Sequence, residues 1–153
     1  MLAKPIPDGY RSITPYLAVR EAANAIEFYR RALGAKERMR VAAPDGKVAH
    51  AELEIGDSVI MLADEHLDMG FRSPESYGGA SVTFHLYVQD VDASFRRAIE
   101  AGAEPLRQVK DQFYGDRSGA VRDPFGHVWH IATHKEDFSP EEIARRAEMA
   151  FDS

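Results

Sequence analysis

The 153 residues contain no cysteine, which removes disulfides, thiolate metal ligands and a cysteine nucleophile together. Glycine never falls in a G-x-G-x-x-G or G-x-x-x-x-G-K arrangement, so neither a dinucleotide fingerprint nor a P-loop is encoded. The same lack leaves a methyltransferase reading without a glycine-rich cofactor loop. No serine stands in a G-x-S-x-G elbow, and nucleophilic hydrolysis has no support. Positive charge is in deficit, with 19 Lys and Arg against 25 Asp and Glu and a net charge of −6. Such a surface carries no electrostatic footprint for nucleic acid or an anionic membrane. No run approaches the roughly 18 apolar residues of a membrane span, and the opening Met1–Tyr10 lacks the apolar stretch of a signal peptide. A cytoplasmic protein with no nucleic-acid or membrane partner is the expectation.

What the chain does have is an ordinary globular composition, 44% hydrophobic and 29% charged, and an internal repeat. Thr14-Pro-Tyr-Leu-Ala-Val19 aligns with Thr83-Phe-His-Leu-Tyr-Val88 at an offset of 69 residues. At the same offset Ile26 meets Phe95, Ala32 meets Ala101, and Val59-Ile-Met-Leu-Ala63 meets Val128-Trp-His-Ile-Ala132. The spacing is too long for a common solenoid and leaves room for only two copies, so two supersecondary units packed on each other are expected, with a site where they face.

Alternation and helical periodicity give each unit the order β-α-β-β-β. The first, about 13–63, reads as strand 13–19, helix 21–33 stopped by Gly34, strand 35–41, strand 47–55, a Gly56-Asp57 hairpin turn, and strand 58–63. The second, about 80–134, reads as strand 81–88, a helix from Val91 capped by Asp90 and stopped at Gly102, then strands 104–109, 117–122 and 128–133. The connection 64–79 reads as a crossover packed on the surface in preference to a lid. Ser139-Pro140-Glu141-Glu142 starts a terminal helix, about 140–151. Its stripe Ile143, Ala147, Ala150 and Phe151 must cover either the chain's own sheet, the favoured reading, or a second subunit.

Pairing about Gly56-Asp57 puts Ala51, Leu53, Ile55, Ile60 and Leu62 on one uniformly apolar face, which belongs against the helix. His50, Glu52, Glu54 and Met61 take the other. Carrying the parity through the repeat adds Thr14, Tyr16, Thr83, His85, Tyr87, His130 and Ala132 to the open side. Two such faces brought together make a cup lined by Tyr16, His50, Glu52, His85, Tyr87 and His130, too polar for a plain core. The fold class expected is α+β, one domain over 1–153.

The paired βαβββ units, Ile13-Thr-Pro-Tyr-Leu-Ala-Val19 and Asp123-Pro-Phe-Gly-His127 resemble the vicinal oxygen chelate superfamily of glyoxalases, bleomycin resistance proteins and dioxygenases. Ala25-Ile-Glu-Phe-Tyr29, His50-Ala-Glu-Leu53 and Gln112-Phe-Tyr-Gly-Asp-Arg117 make it most similar to the PhnB-like branch. The resemblance implies a small-molecule site and, in metal-dependent members, ligands at four positions that here are Thr14, Met61, Thr83 and His130. Only His130 is a good ligand, so the standard site is absent as written and no cofactor is expected. A displaced divalent-metal site of His85, His130 and Glu52 is the alternative.

Tyr114 and Arg117 are further ligand-binding candidates, the first to stack or hydrogen-bond, the second to hold an anionic group; equally, the segment is a bulged turn fixed by Asp116 and Arg117. His127 reads as a turn residue and Trp129 as core. Three functions compete: a small-molecule-binding protein with a metal-free polar cup; a metal-dependent lyase, isomerase or dioxygenase in which Glu52 moves a proton; and a dimeric interaction module, the homodimer resting on the terminal helix.

Overall fold

The structure is a computed structural model and describes residues 2–152. The order is β1 (Tyr16–Val19), α1 (Ala22–Leu33), β2 (Lys36–Ala42), β3 (Val48–Ile55), β4 (Ser58–Asp64), a 3-10 turn (Leu67–Met69), α2 (Pro74–Tyr77), β5 (Thr83–Tyr87), α3 (Val91–Ala101), β6 (Glu104–Asp111), β7 (Asp116–Arg122), β8 (Val128–His134) and α4 (Pro140–Phe151). The strands form two 4-stranded sheets in the orders β1-β4-β3-β2 and β5-β8-β7-β6. In each, the first strand runs parallel to the last and the others pair antiparallel. These are the two expected modules of an α+β chain. The first strand is shorter than the 13–19 expected, and Ile13 is exposed.

Register follows the turn chemistry. Gly56, at φ 58°, lets a two-residue turn set Ile55 opposite Ser58, and Glu52 then faces Met61. Strand alternation buries Ala51, Leu53, Ile55, Ile60 and Leu62 under α1, as the apolar face required. The helix offers Ala22, Ala25, Ile26, Phe28, Tyr29 and Ala32 in return. Its start is unusual: Glu21 is the one described non-glycine residue with positive φ and makes no side-chain cap. Asp64, at the end of β4, instead accepts from the N–H of Ala22 at 3.0 Å and of Val48 at 2.8 Å.

The modules share one core, joined through α1 and the loop between β7 and β8. The Tyr29 hydroxyl donates to Asp123 Oδ2 at 2.5 Å and Trp129 Nε1 donates to the same oxygen at 2.9 Å. Oδ1 accepts from the N–H of Phe125 and His127 at 2.9 and 3.0 Å. Asp123 is therefore a buried carboxylate with every partner supplied by protein, the condition under which burial of a charge is tolerated. Arg97 of α3 adds a second tie, donating to the carbonyls of Arg31 and Arg30 at 2.5 and 3.3 Å.

Glu65 pins the connection down. It accepts from Ser73 N–H at 3.0 Å, from the Ser73 and Ser76 hydroxyls at 2.9 and 2.5 Å, and from Arg20 at 2.7 Å. Gly126 then lies against Pro74, where an added Cβ would come within 2.8 Å of the proline ring. The connection thus packs on the surface as a crossover and also walls a groove. For α4 the favoured expectation is corrected. Its Ser139 cap forms at 3.1 Å, but none of its residues is buried. It meets the turn before β7 through Phe151 on Phe113, ring centroids 5.9 Å apart, and of its stripe Ile143 and Ala147 are half-buried while Phe151 is exposed.

Candidate functional site

On the open face of the first sheet, one rung sets Tyr16 beside Met61 and Met61 beside Glu52, while His50 lies two residues along β3. The side chains close into a chain of hydrogen bonds. Tyr10 donates its hydroxyl to Glu52 Oε1, His50 Nε2 is 2.9 Å from Glu52 Oε2, and the Tyr16 hydroxyl is 2.6 Å from His50 Nδ1. The Tyr10 bond first, then that of His50, lowers the pKa of Glu52, so the group is an acceptor-only carboxylate. Desolvation and the same bond push Tyr10 up to about 12. Tyr16 is also raised, by desolvation and then by Glu52.

The second open face carries a different set. The His85 ring lies 4.9 Å from Tyr87 and 5.9 Å from His130. Asp116, buried, holds the cluster's edge: it accepts from Tyr87 at 2.9 Å, bonds His134 Nδ1 at 2.7 Å, and lies 4.0 Å from His85. Arg107 donates toward the His130 ring at 3.2 Å, and burial followed by this cation and His85 lowers the His130 pKa.

The six residues expected to line one cup therefore fall into two trios, Tyr16, His50 and Glu52 in one module and His85, Tyr87 and His130 in the other. Among the described residues no hydrogen bond, ion pair or ring contact joins the trios. Glu52 is not brought to His85 and His130, and the described residues hold no group of three or more His, Asp or Glu arranged to take a metal. The standard positions fit no better: Thr14, Met61 and Thr83 bring no imidazole or carboxylate to join His130. Among the described residues, these positions do not make up a ligand set for a divalent ion within one chain.

Arg117 is placed differently from its expected role. Asp116 and Ser118 point to the open face, so alternation turns Arg117 toward α3, where it grips Asp92 at 2.8 and 2.9 Å and Asp111 at 3.3 Å. These bonds, Asp92 first, raise its pKa, and its guanidinium is engaged by surface carboxylates of its own chain. Tyr114 stands in the preceding turn, edge-on to Phe113 at 5.2 Å.

Between the free edge of β1 and the connection runs an open groove of about 1080 Å³. Tyr16 is the one expected site residue on its wall. Phe71, Arg72, Pro74, Phe84 and His127 line it as well. Phe71 meets the Tyr16 ring edge-on at 5.4 Å. His127 reaches across to the carbonyl of Ala18 at 3.2 Å, so this turn histidine spans the modules. Arg72 makes no ion pair among the described residues.

Residues 12–131 match the model of the Glyoxalase/Bleomycin resistance protein/Dioxygenase superfamily. The chain belongs to that superfamily. An uncharacterized protein of Mycobacterium tuberculosis is 46% identical over 135 residues, covering 86% of this chain and 79% of the relative. An Arabidopsis thaliana gene product of known X-ray structure has a TM-score of 0.66 and 30% identity, covering 80% of this chain and 98% of that one. TioX from Micromonospora sp. ML1 has a TM-score of 0.62 at 25% identity, covering 84% and 100%. The PhnB protein from Bacillus cereus shares the fold at 16% identity and a TM-score of 0.63, over 80% of this chain and 99% of that one.

Sequence reasoning missed Tyr10, Phe71, Arg72 and Asp116. Asp116 was open to discovery, because pairing it with His134 across the β7–β8 hairpin puts both on the cup side. Tyr10 lies outside the repeat, and Phe71 and Arg72 lie in irregular chain, so no periodicity marks them.

Proposed function

We propose that this superfamily member is a small-molecule-binding protein whose ligand sits in the groove along β1, against the polar face of the first module. The observation that carries the reading is a groove of about 1080 Å³ walled by apolar side chains and offering the hydroxyl-bearing Tyr16 and an unpaired Arg72. Size and lining match ligand sites in general, which are apolar with a few polar groups that orient the guest. A guest with a flat apolar body and one anionic group suits it, Arg72 supplying the fork-shaped cation. The test is a fluorescence titration with 8-anilinonaphthalene-1-sulfonate. Saturable one-site binding, weakened about tenfold in Arg72→Glu, is expected for one lost charge contact of about 1.4 kcal/mol. Equal affinity in wild type, Arg72→Glu and Val82→Asp, the last placing a charge on another groove-lining residue, would contradict it.

A second reading, a homodimer formed through α4, is supported by that helix's exposure. Met149 and Phe151 are 64% and 78% exposed. Ile143→Asp with Phe151→Asp should halve the mass measured by sedimentation; an unchanged mass counts against it.

A further inference from the structure

We infer that Tyr16 is a base-activated phenol, its proton drawn by a His50–Glu52 relay, which equips the groove for proton transfer to and from a bound carbon or oxygen acid. The inference rests on the proposed function only in that a small molecule occupies the groove; the relay itself lies within the first module.

The direction of each hydrogen bond follows from its partners. Glu52 is acceptor-only, so the hydrogen between Glu52 Oε2 and His50 Nε2 belongs to the imidazole. A neutral ring protonated at Nε2 has its lone pair at Nδ1, and that nitrogen is the one 2.6 Å from the Tyr16 oxygen. The phenol therefore donates to a nitrogen able to take the proton. Because burial and the Glu52 charge raise the Tyr16 pKa, activation comes through this hydrogen bond as the oxygen reacts and not through free ionisation. Carboxylate, imidazole and hydroxyl in this order are the arrangement that activates an oxygen nucleophile or base in general. Tyr10 on the other carboxylate oxygen and Arg38, 5.2 Å over the Tyr10 ring, also act on Glu52. They hold it ionised and in place, acting as positioning residues.

Tyr16 also faces outward. It is 46% exposed and lines the groove, with the rings of Phe71 and His50 each 5.4 Å from its own. In a proton shift, the guest's C–H or O–H proton moves to the Tyr16 oxygen as the phenol's own proton moves to His50 Nδ1. The imidazolium then faces the Glu52 carboxylate. Reversal of both steps, with the proton delivered to a different atom or face of the guest, completes an isomerisation or epimerisation next to a carbonyl or carboxylate. No oxidant or second reactant enters the balance. An oxyanion formed on the way would find the Arg72 cation in the same groove.

Benzenesulfonyl fluoride tests the activation without knowledge of the guest. The Tyr16 oxygen forms the S–O bond, fluoride leaves, and the hydroxyl proton passes through His50 Nδ1 to water. Peptide mass spectrometry at pH 7 should show Tyr16 labelled about tenfold or more faster than Tyr77 and Tyr87, although these are 69% and 59% exposed. His50→Gln should erase that margin, and Glu52→Gln should reduce it. The pH profile gives an independent readout. A phenol without a base reacts in proportion to its ionisation, near pH 10 and about tenfold per pH unit below it; wild-type Tyr16 should rise less steeply between pH 7 and 9, and His50→Gln should restore the steep slope. Labelling of Tyr16 no faster than Tyr77, or unchanged in rate and slope by both variants, would overturn the inference. Loss of dye binding with retained labelling would sink the groove reading alone.

Discussion

Asp64 in the first module and Thr133 in the second stand at equivalent places in the repeat, and each caps the helix of its own module from the end of its last strand. Asp64 accepts from Ala22 N–H at 3.0 Å, Thr133 from Val91 N–H at 2.9 Å. The rungs correspond as well, Tyr16–Met61–Glu52 in one sheet and His85–His130–Ala120 in the other. Yet the open faces share almost no chemistry. Where the first has a relay ending on an exposed phenol, the second has a pair of imidazoles between Arg107 and buried Asp116. A side chain facing the helix is constrained by packing density, whereas one facing outward is free to change with the ligand. The helix-facing set is apolar in both modules, and the open-face set is not shared.

The modules also differ in how they turn from their third to their fourth strand. The first uses the two residues Gly56-Asp57; the second uses the longer Asp-containing loop, which holds the modules together. The largest expected effect follows. Asp123→Ala orphans buried donors from Tyr29, Trp129 and two backbone groups, and should cost about 3 kcal/mol or more in urea unfolding. Asp57→Ala in the shorter turn should change little. Equal effects would break the comparison at its junction.

The caps come next. Asp64 serves two backbone N–H groups and Thr133 one. Asp64→Ala should therefore destabilise by about 2 kcal/mol and Thr133→Ala by about 1, read from the same denaturation. The residues that follow, Glu65 and His134, titrate in opposite senses. The Ser76 hydroxyl first, then Ser73 N–H, holds Glu65 down to about 2 from the usual 4.5. Its contribution is present above the unfolded value and is lost as pH falls from about 4.5 toward 2. Asp116 and then Asp137 raise the pKa of His134 above 6.5. Its contribution is present below the unfolded value of 6.5 and fades as pH rises through the folded value. Thermal unfolding against pH should show the acid limb flattened in Glu65→Gln and, to a smaller extent because His134 is exposed, the neutral-to-alkaline limb flattened in His134→Gln. Smallest of all, Tyr16→Phe should leave stability within about 0.5 kcal/mol, since that hydroxyl serves the groove and not the core.

Much of this was legible because strand alternation is a local code. Leu53, Ile60 and Leu62 announced their face, and Trp129 its place in the core, from spacing alone. The capping residues Asp90 and Ser139 and the stop at Gly34 were equally local. What escaped reading depends on geometry between distant segments. Arg117 follows a turn in which Gly115 closely approaches the Glu136 carbonyl, and although the β7–β8 pairing sets its side, its partners Asp92 and Asp111 come from other elements that no local pattern brings to it. Tyr10 and Arg72 reach the site from chain without period. The α4 stripe was visible, but amphipathicity does not name the surface it covers.

The central claim is that the first module alone presents an oriented base to its open face, and ¹⁵N-resolved NMR of the imidazole rings tests it most directly. His50 should show a protonated Nε2 and an unprotonated, hydrogen-bonded Nδ1 whose resonance moves on Tyr16→Phe, with His85 and His130 unmoved by that variant. A His50 ring that exchanges freely between tautomers, or carries its hydrogen on Nδ1, would contradict the account.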